Sequence, residues 1–185
     1  MVTTSVPKAP SRSRALLKIL LSTRTAALPA DLCLLVVRLV LAWIFIYHGS
    51  RRLFGWFGGL GIHEYGNYFA NTAHLHPGEL FAVLSGVIEF GGGIALALGL
   101  FSRLAGLAIF GDMMGAIITV TWANGINATG GTQGYELNLA LGFLALVPAV
   151  FGAGRFSVDA ELERRLAKAD AAPTAERSRG GSPAY

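Results

Sequence analysis

The stretch Leu80–Leu100, LFAVLSGVIEFGGGIALALGL, constrains this chain more than any other. A helix crosses the hydrocarbon core of a bilayer with about 20 apolar residues, and this run supplies them. Its only ionisable residue is Glu89, near the centre. An uncompensated carboxylate at that depth costs a few kcal/mol or more, so Glu89 is protonated, paired, or turned toward a polar interior. On a helix, Ala82, Ser85, Gly86, Glu89, Gly93 and Ala97 share one stripe at spacings of three and four. Small residues at that spacing admit a neighbouring helix closely. Val83, Val87, Ile94 and Leu98 lie opposite, where they suit lipid. The other spans are expected to gather on the small, polar side.

Charged residues make up 14% of the 185-residue chain and hydrophobic residues 53%. Soluble domains average roughly 25% charged residues, so the composition is that of an integral membrane protein. The formal charge of +4 is concentrated toward the two ends of a greasy chain. That pattern signals topology and lipid head groups, and excludes a nucleic-acid binder. One cysteine, Cys33, excludes an internal disulfide or dithiol pair and reads as a small apolar residue at a helix start.

The expected fold is all-α, an integral membrane four-helix bundle with short interfacial helices. Residues 1–31 form a tail, disordered through Ser13, with a short basic amphipathic helix around Ala15–Leu21. Residues 32–159 form the membrane domain, with spans near Leu32–Phe54, Leu80–Leu100, Leu104–Ala123 and Glu136–Phe151. In the first loop, Ile62, Tyr65 and Phe69 suit one face of a surface helix. Residues 160–185 hold a short charged helix, Ala160–Lys168, and a disordered tail. On the side of the first loop only Arg51 and Arg52, at the end of the first span, are Lys or Arg; the tails and the second turn carry the others flanking the spans. By the positive-inside rule both termini are cytoplasmic and the protein is multi-pass in the inner (plasma) membrane.

Helix rise places Arg38, Asp112 and Glu89 roughly 10, 14 and 17 Å from the cytoplasmic ends of their spans. They form a candidate middle layer of one cation and two acids. His48 and Glu136 both fall roughly 25 Å up and, with Arg51 or Arg52, form a candidate outer layer. Each layer has two readings: ion pairing that fixes helix packing, or a site that binds a polar head group or relays protons. Arg38 has a further one, snorkelling of its long side chain to the cytoplasmic surface. His48 is the one histidine inside a span, so a two-histidine haem site is excluded. His74-x-His76 with Glu79 has no specific metal spacing, and no metal is expected.

Arg38 with His48-Gly49, Glu89-Phe90-Gly91-Gly92, and Leu98-Gly99-Leu100 before Arg103 follow one another along the chain. Tyr135-Glu136 and the segment Gly152-Ala153-Gly154-Arg155-Phe156-Ser157-Val158-Asp159 complete the set. In order and spacing the set resembles the DoxX family of small bacterial membrane proteins. Arg51 and Arg52 stand where the family commonly has a lysine after the His-Gly pair. The resemblance covers about Leu32–Asp159 and implies four membrane helices. It also implies a role as the membrane subunit of a quinone-linked oxidoreductase assembly. Arginine and histidine suit the two quinone oxygens, and buried carboxylates suit proton transfer. Trp43, Phe45, Phe90, Phe110 and Trp122 are candidate ring contacts. The sequence shows no cysteine cluster, haem pair or flavin motif, so electrons must come from a partner redox protein. The alternatives are a non-catalytic scaffold anchoring partner proteins and a proton-coupled transporter using Glu89.

Overall fold

The computed structural model describes residues 28–127 and 133–179, together with Leu16, Ile19 and Leu21. The first tail, most of the expected amphipathic helix, residues 128–132 and residues 180–185 lie outside the described residues. Helix α1 spans Leu28–Phe54, α2 Gly61–Thr72, α3 Gly78–Leu98, α4 Ser102–Ala116, α5 Glu136–Phe151 and α6 Val158–Arg179. Helix α4 continues through a π-helical turn, Ile117–Thr121, and a 3-10 turn, Trp122–Asn124. Helices α1, α3 and α4 with its extension are long and apolar enough to cross a membrane. Helix α5 has 16 residues, about 24 Å of rise, and completes the bundle. The surface helix expected in the first loop is α2. Helix α6 runs beyond the expected Lys168, through an alanine-rich stretch that also holds Pro173.

Helix α3 presents the stripe its sequence dictates: Ala82, Gly86, Glu89 and Gly93 are buried, while Val83, Val87, Ile94 and Leu98 are exposed. The stripe faces α1. A Cβ added at Gly93 would sit 2.9 Å from the Ile46 backbone nitrogen, and one at Gly86 would sit 2.7 Å from the Leu53 side chain. Glycine at these two positions therefore sets the α1–α3 distance. The apolar run stops being helical at Gly99, whose φ of 67° is left-handed. The Leu100 amide then bonds the Ala95 carbonyl at 2.9 Å, closing the helix before the turn into α4.

The turn between α3 and α4 lies beside the segment 152–159, and one arginine joins them. Arg38 is 1% exposed. Its Nε donates to the Leu96 carbonyl at 2.9 Å and its Nη2 to the Ala97 carbonyl at 3.3 Å. Its Nη1 donates to the carbonyls of Ala153 at 2.5 Å and Phe156 at 3.0 Å. The last carbonyls of a helix lack intrahelical partners and carry the negative end of its dipole, so a cation is favoured there. This corrects the expected middle layer: among the described residues Arg38 forms no ion pair with Glu89 or Asp112. Desolvating a guanidinium costs several kcal/mol. Four charged hydrogen bonds, at roughly 1.5–3 kcal/mol each, offset that cost without a carboxylate.

Two acids complete the same end. Asp159 accepts the amides of Phe101 at 2.8 Å and Ser102 at 3.1 Å, capping the start of α4. Burial pushes the Asp159 carboxyl up, and those two amides with Arg38 pull it back. Asp31 accepts the Arg155 amide at 3.2 Å, tying α1 to the same segment. Leu41, Ala42, Phe45, Leu96, Ala105, Ile109, Met113 and Ala145 pack above this clamp as the apolar core.

At the opposite end, α2 lies on the start of α3. A Cβ added at Gly66 would stand 2.6 Å from the Glu79 side chain, so the two helices meet there without an intervening side chain. His63 Nδ1 and Glu79 Oε1 lie 2.7 Å apart across that contact. Glu79 thus pairs with His63 rather than with His74 or His76.

Two outcomes follow from these contacts. Arg38→Met leaves at least three carbonyls without their donor, at roughly 1–3 kcal/mol each. It is expected to lower stability by about 3 kcal/mol or more in detergent denaturation, and Arg38→Lys to restore only part, since ammonium lacks the planar fork. A wild-type melting temperature for Arg38→Met would remove the clamp. The hydrogen bond and charge of Glu79 hold the His63 pKa above its usual value. The pair's contribution is therefore complete below about pH 6.5 and is lost as pH rises through the raised value. Amide exchange in α2, corrected for its intrinsic pH dependence, should be slower at low pH, and His63→Ala should abolish the difference.

Candidate functional site

Away from the Arg38 clamp the helices part, and a cavity of about 700 Å³ opens among α1, α2, α3, α4 and α5. Its charged floor comes from three helices: Arg52 from the last turn of α1, Ser85 and Glu89 from α3, and Asp112 from α4. Arg52 Nη1 lies 3.1 Å from Glu89 Oε1 and also donates to the Ser85 hydroxyl. Ser85 in turn hydrogen-bonds Asp112. Ser85 sits one turn before Glu89, so both face the same neighbours.

Helix α2 roofs the cluster. The Arg52 guanidinium lies 5.2 Å from the Tyr65 ring centre and 5.6 Å from that of Phe69. Rings over a guanidinium attract it and also keep water away, which strengthens the ion pair below. The Glu89 side chain is only 4% exposed. Even so, Glu89 Oε2 and Arg52 Nε have no hydrogen-bond partner. One acceptor and one donor are thus left open inside a largely apolar chamber.

The far wall is the irregular end of α4. Thr119, Val120 and Thr121 of the π-helical stretch line the cavity, with Leu137, Asn138 and Leu141 of α5 beside them. The Thr119 hydroxyl is satisfied by the Gly115 carbonyl at 2.8 Å, and Asn138 Nδ2 donates to Thr121 Oγ1 at 3.4 Å. A π-turn widens the helix locally, and such turns often mark functional sites.

The expected site residues are therefore sorted differently by the structure. Glu89 and Asp112 do share one cavity, but their cation is Arg52 and not Arg38. His48 and Arg51 also line the cavity, with the Arg51 Nη1 donating to the Tyr47 hydroxyl at 2.9 Å. Glu136 is exposed at the start of α5, outside the lining, where a carboxylate is favoured by the helix dipole. The expected approach of His48 and Glu136 is not found among the described contacts. Of the five candidate rings only Phe45 lines the cavity. Phe90 packs on Phe54 and Trp56, and Phe110 on Phe143. Trp43 and Trp122 are 80% and 66% exposed on the outside of the bundle.

Sequence reasoning missed Tyr65 and Phe69 as roof, Ser85 as the link, and the Arg52–Glu89 pair itself. Depths counted along Cα positions place Arg52 near the outer surface. Its long side chain, however, reaches inward past Gly86 to Glu89. The Ser85/Glu89 spacing was the signal available.

Residues 33–122 match the family model of DoxX. None of the curated proteins and none of the solved structures matches the chain. The matched stretch runs from the first turns of α1 to the end of the π-helical stretch, and it contains Arg52, Ser85, Glu89, Asp112 and the roof helix. With its apolar helices the chain is a membrane protein, and residues 33–122 of it are similar to the DoxX family.

Proposed function

We propose that this protein is the membrane subunit of a quinone-linked oxidoreductase assembly, with its quinone site in the cavity beneath α2. The observation that carries the reading is the pairing of half-buried Arg52 with buried Glu89, which keeps one donor and one acceptor open within about 700 Å³ of mostly apolar space. Small-molecule sites run to roughly 300–1,000 Å³, apolar with a few convergent polar groups. A quinone, a flat apolar ring with two carbonyl oxygens, fits that pair of atoms across its two redox states: a carbonyl oxygen accepts from Arg52 Nε, and a hydroxyl of the reduced quinol donates to Glu89 Oε2. When bound, it accepts two electrons and two protons. The electrons come from a partner redox protein.

Arg52 donates to one of the ring oxygens from Nε, held in place by Glu89 on one side and the Tyr65 and Phe69 rings on the other. His48, on the same cavity wall, is the candidate donor to the other oxygen. Glu89 and Asp112 hold protons and pass them inward, with Ser85 linking Asp112 to Arg52. Phe45, Ile88 and Leu141 keep the chamber dry. In our reading both termini and the Arg38 clamp are cytoplasmic in the inner membrane, and α2 faces the other side. The distribution of basic residues supports that orientation.

Binding of a tailless benzoquinone to the purified protein in nanodiscs, followed by tyrosine and tryptophan fluorescence, tests the reading. Arg52→Met should weaken binding by roughly tenfold to a hundredfold, the equivalent of one charged hydrogen bond. Glu89→Gln preserves shape and should leave affinity within about threefold while stopping quinone reduction by the copurified redox partner. A wild-type protein that binds no benzoquinone and brings down no redox protein would sink the proposal.

A further inference from the structure

The charged floor accounts for only part of the cavity. A second part runs along α4, whose Ala108, Gly111, Asp112, Gly115, Ala116 and Thr119 line it at helical spacing. Near the α3–α4 turn these two helices touch: a Cβ added at Gly92 would meet Ile109 at 3.1 Å. Farther from the turn they part. A Cβ added at Gly111 or at Gly115 would meet nothing within 4 Å. Gly111 and Leu84 are both cavity-lining and exposed, so the cavity reaches the outside of the bundle between α3 and α4. Gly111 stands nine residues into α4, roughly 14 Å from its start, which is mid-depth in the hydrocarbon. That opening meets acyl chains and not water.

We infer that the glycine-floored face of α4 is a groove for the hydrocarbon tail of an amphiphile that enters from the bilayer between α3 and α4. The inference rests on the quinone reading for the identity of the head alone. Bare backbone at two successive turns provides a smooth wall against which a linear chain lies closely. The groove leads to Glu89, whose nearly buried side chain carries an unpartnered Oε2 in the same cavity. A tailed ligand in this position therefore has its polar end at the charged floor and its apolar end in the lipid. Small residues four apart also suit a helix of a second chain. Their place inside the cavity lining with Glu89, and not on an outer ridge, favours a ligand tail.

A decyl benzoquinone with a photoreactive diazirine at the tail end, added to the full chain in nanodiscs, tests this directly. Crosslinks should map to the cavity-lining Ala108, Gly111, Gly115 and Thr119 on the α4 side and to Phe81, Leu84 and Ile88 of α3. Gly111→Leu and Gly115→Leu should each cut that labelling by about tenfold, because the added side chain fills the groove. Both should leave the affinity for tailless benzoquinone within about twofold, the floor being unchanged. Gly111→Ala is the milder variant should either leucine impair folding, and it should reduce labelling in part. Gly91→Leu is the control: a side chain there also meets nothing, but Gly91 lies outside the cavity lining. Labelling confined to the outward residues Val87, Leu107 and Ile118, or unchanged by Gly111→Leu, would overturn the groove. Loss of a crosslinked dimer in Gly111→Leu with tail labelling intact would also overturn it, in favour of a helix interface. If α4 is labelled as expected while tailless benzoquinone does not bind, the groove stands and the head is not a quinone.

Discussion

Because the guanidinium of Arg38 is taken up by four backbone carbonyls, it cannot serve the acids higher in the bundle, and the rest of the architecture follows. Two of those carbonyls end α3 and two belong to the 153–156 segment. One side chain of α1 therefore holds α3 and the chain leaving α5 at fixed distances. Asp159 returns the contact by capping α4, and Asp31 by holding the Arg155 amide. Helix termini expose carbonyls at one end and amides at the other, and this clamp answers both with buried side chains of opposite charge.

A bundle fastened so firmly at one end is free to part at the other. Close packing persists through the apolar core around Leu41, Leu96 and Ile109, then gives way where α4 passes Gly111. The cavity is what remains between helices that diverge from a common anchor. Helix α2 closes it from above, resting on the start of α3 at Gly66 and covering Arg52 with two rings. Clamp, core, cavity and roof thus follow one another along the bundle, and each depends on the one before.

Much of this was legible in the sequence. The stripe on α3, its lipid face, the order of the spans and the surface helix follow from spacing and length alone. Arg38 was legible as buried but not as to its partners, because every residue offers a carbonyl and none advertises it. The segment from Gly152 to Asp159 carried the family resemblance without revealing that it supplies carbonyls to Arg38 and a cap to α4. Four of the five aromatic candidates lie outside the cavity for a different reason. A ring suits lipid, a helix interface or a ligand equally well, so Trp43 and Phe45, two residues apart, end on opposite sides of α1. Glu89 and Asp112 were legible together because acids inside spans have few places to go.

Two arginines, Arg38 buried and Arg52 half-buried, distinguish packing from chemistry in the same protein. Every nitrogen of the Arg38 guanidinium is engaged, which is what a side chain retained for structure requires. Arg52 and Glu89 bear the desolvation cost of a buried ion pair yet leave Nε and Oε2 unanswered. Apolar residues of similar volume often replace such a pair at no loss of stability, so folding alone gives no reason to keep it. Buried polar atoms without partners call for a further explanation, and a ligand that supplies one acceptor and one donor is the simplest. Asp31 Oδ2 and Ser102 Oγ also lack hydrogen-bond partners at the clamp, but Arg52 Nε and Glu89 Oε2 lie where the helices have parted, under a roof that excludes water, at the end of a passage floored by glycine. Stability is concentrated at one end of the bundle, and the other end is left open to bind.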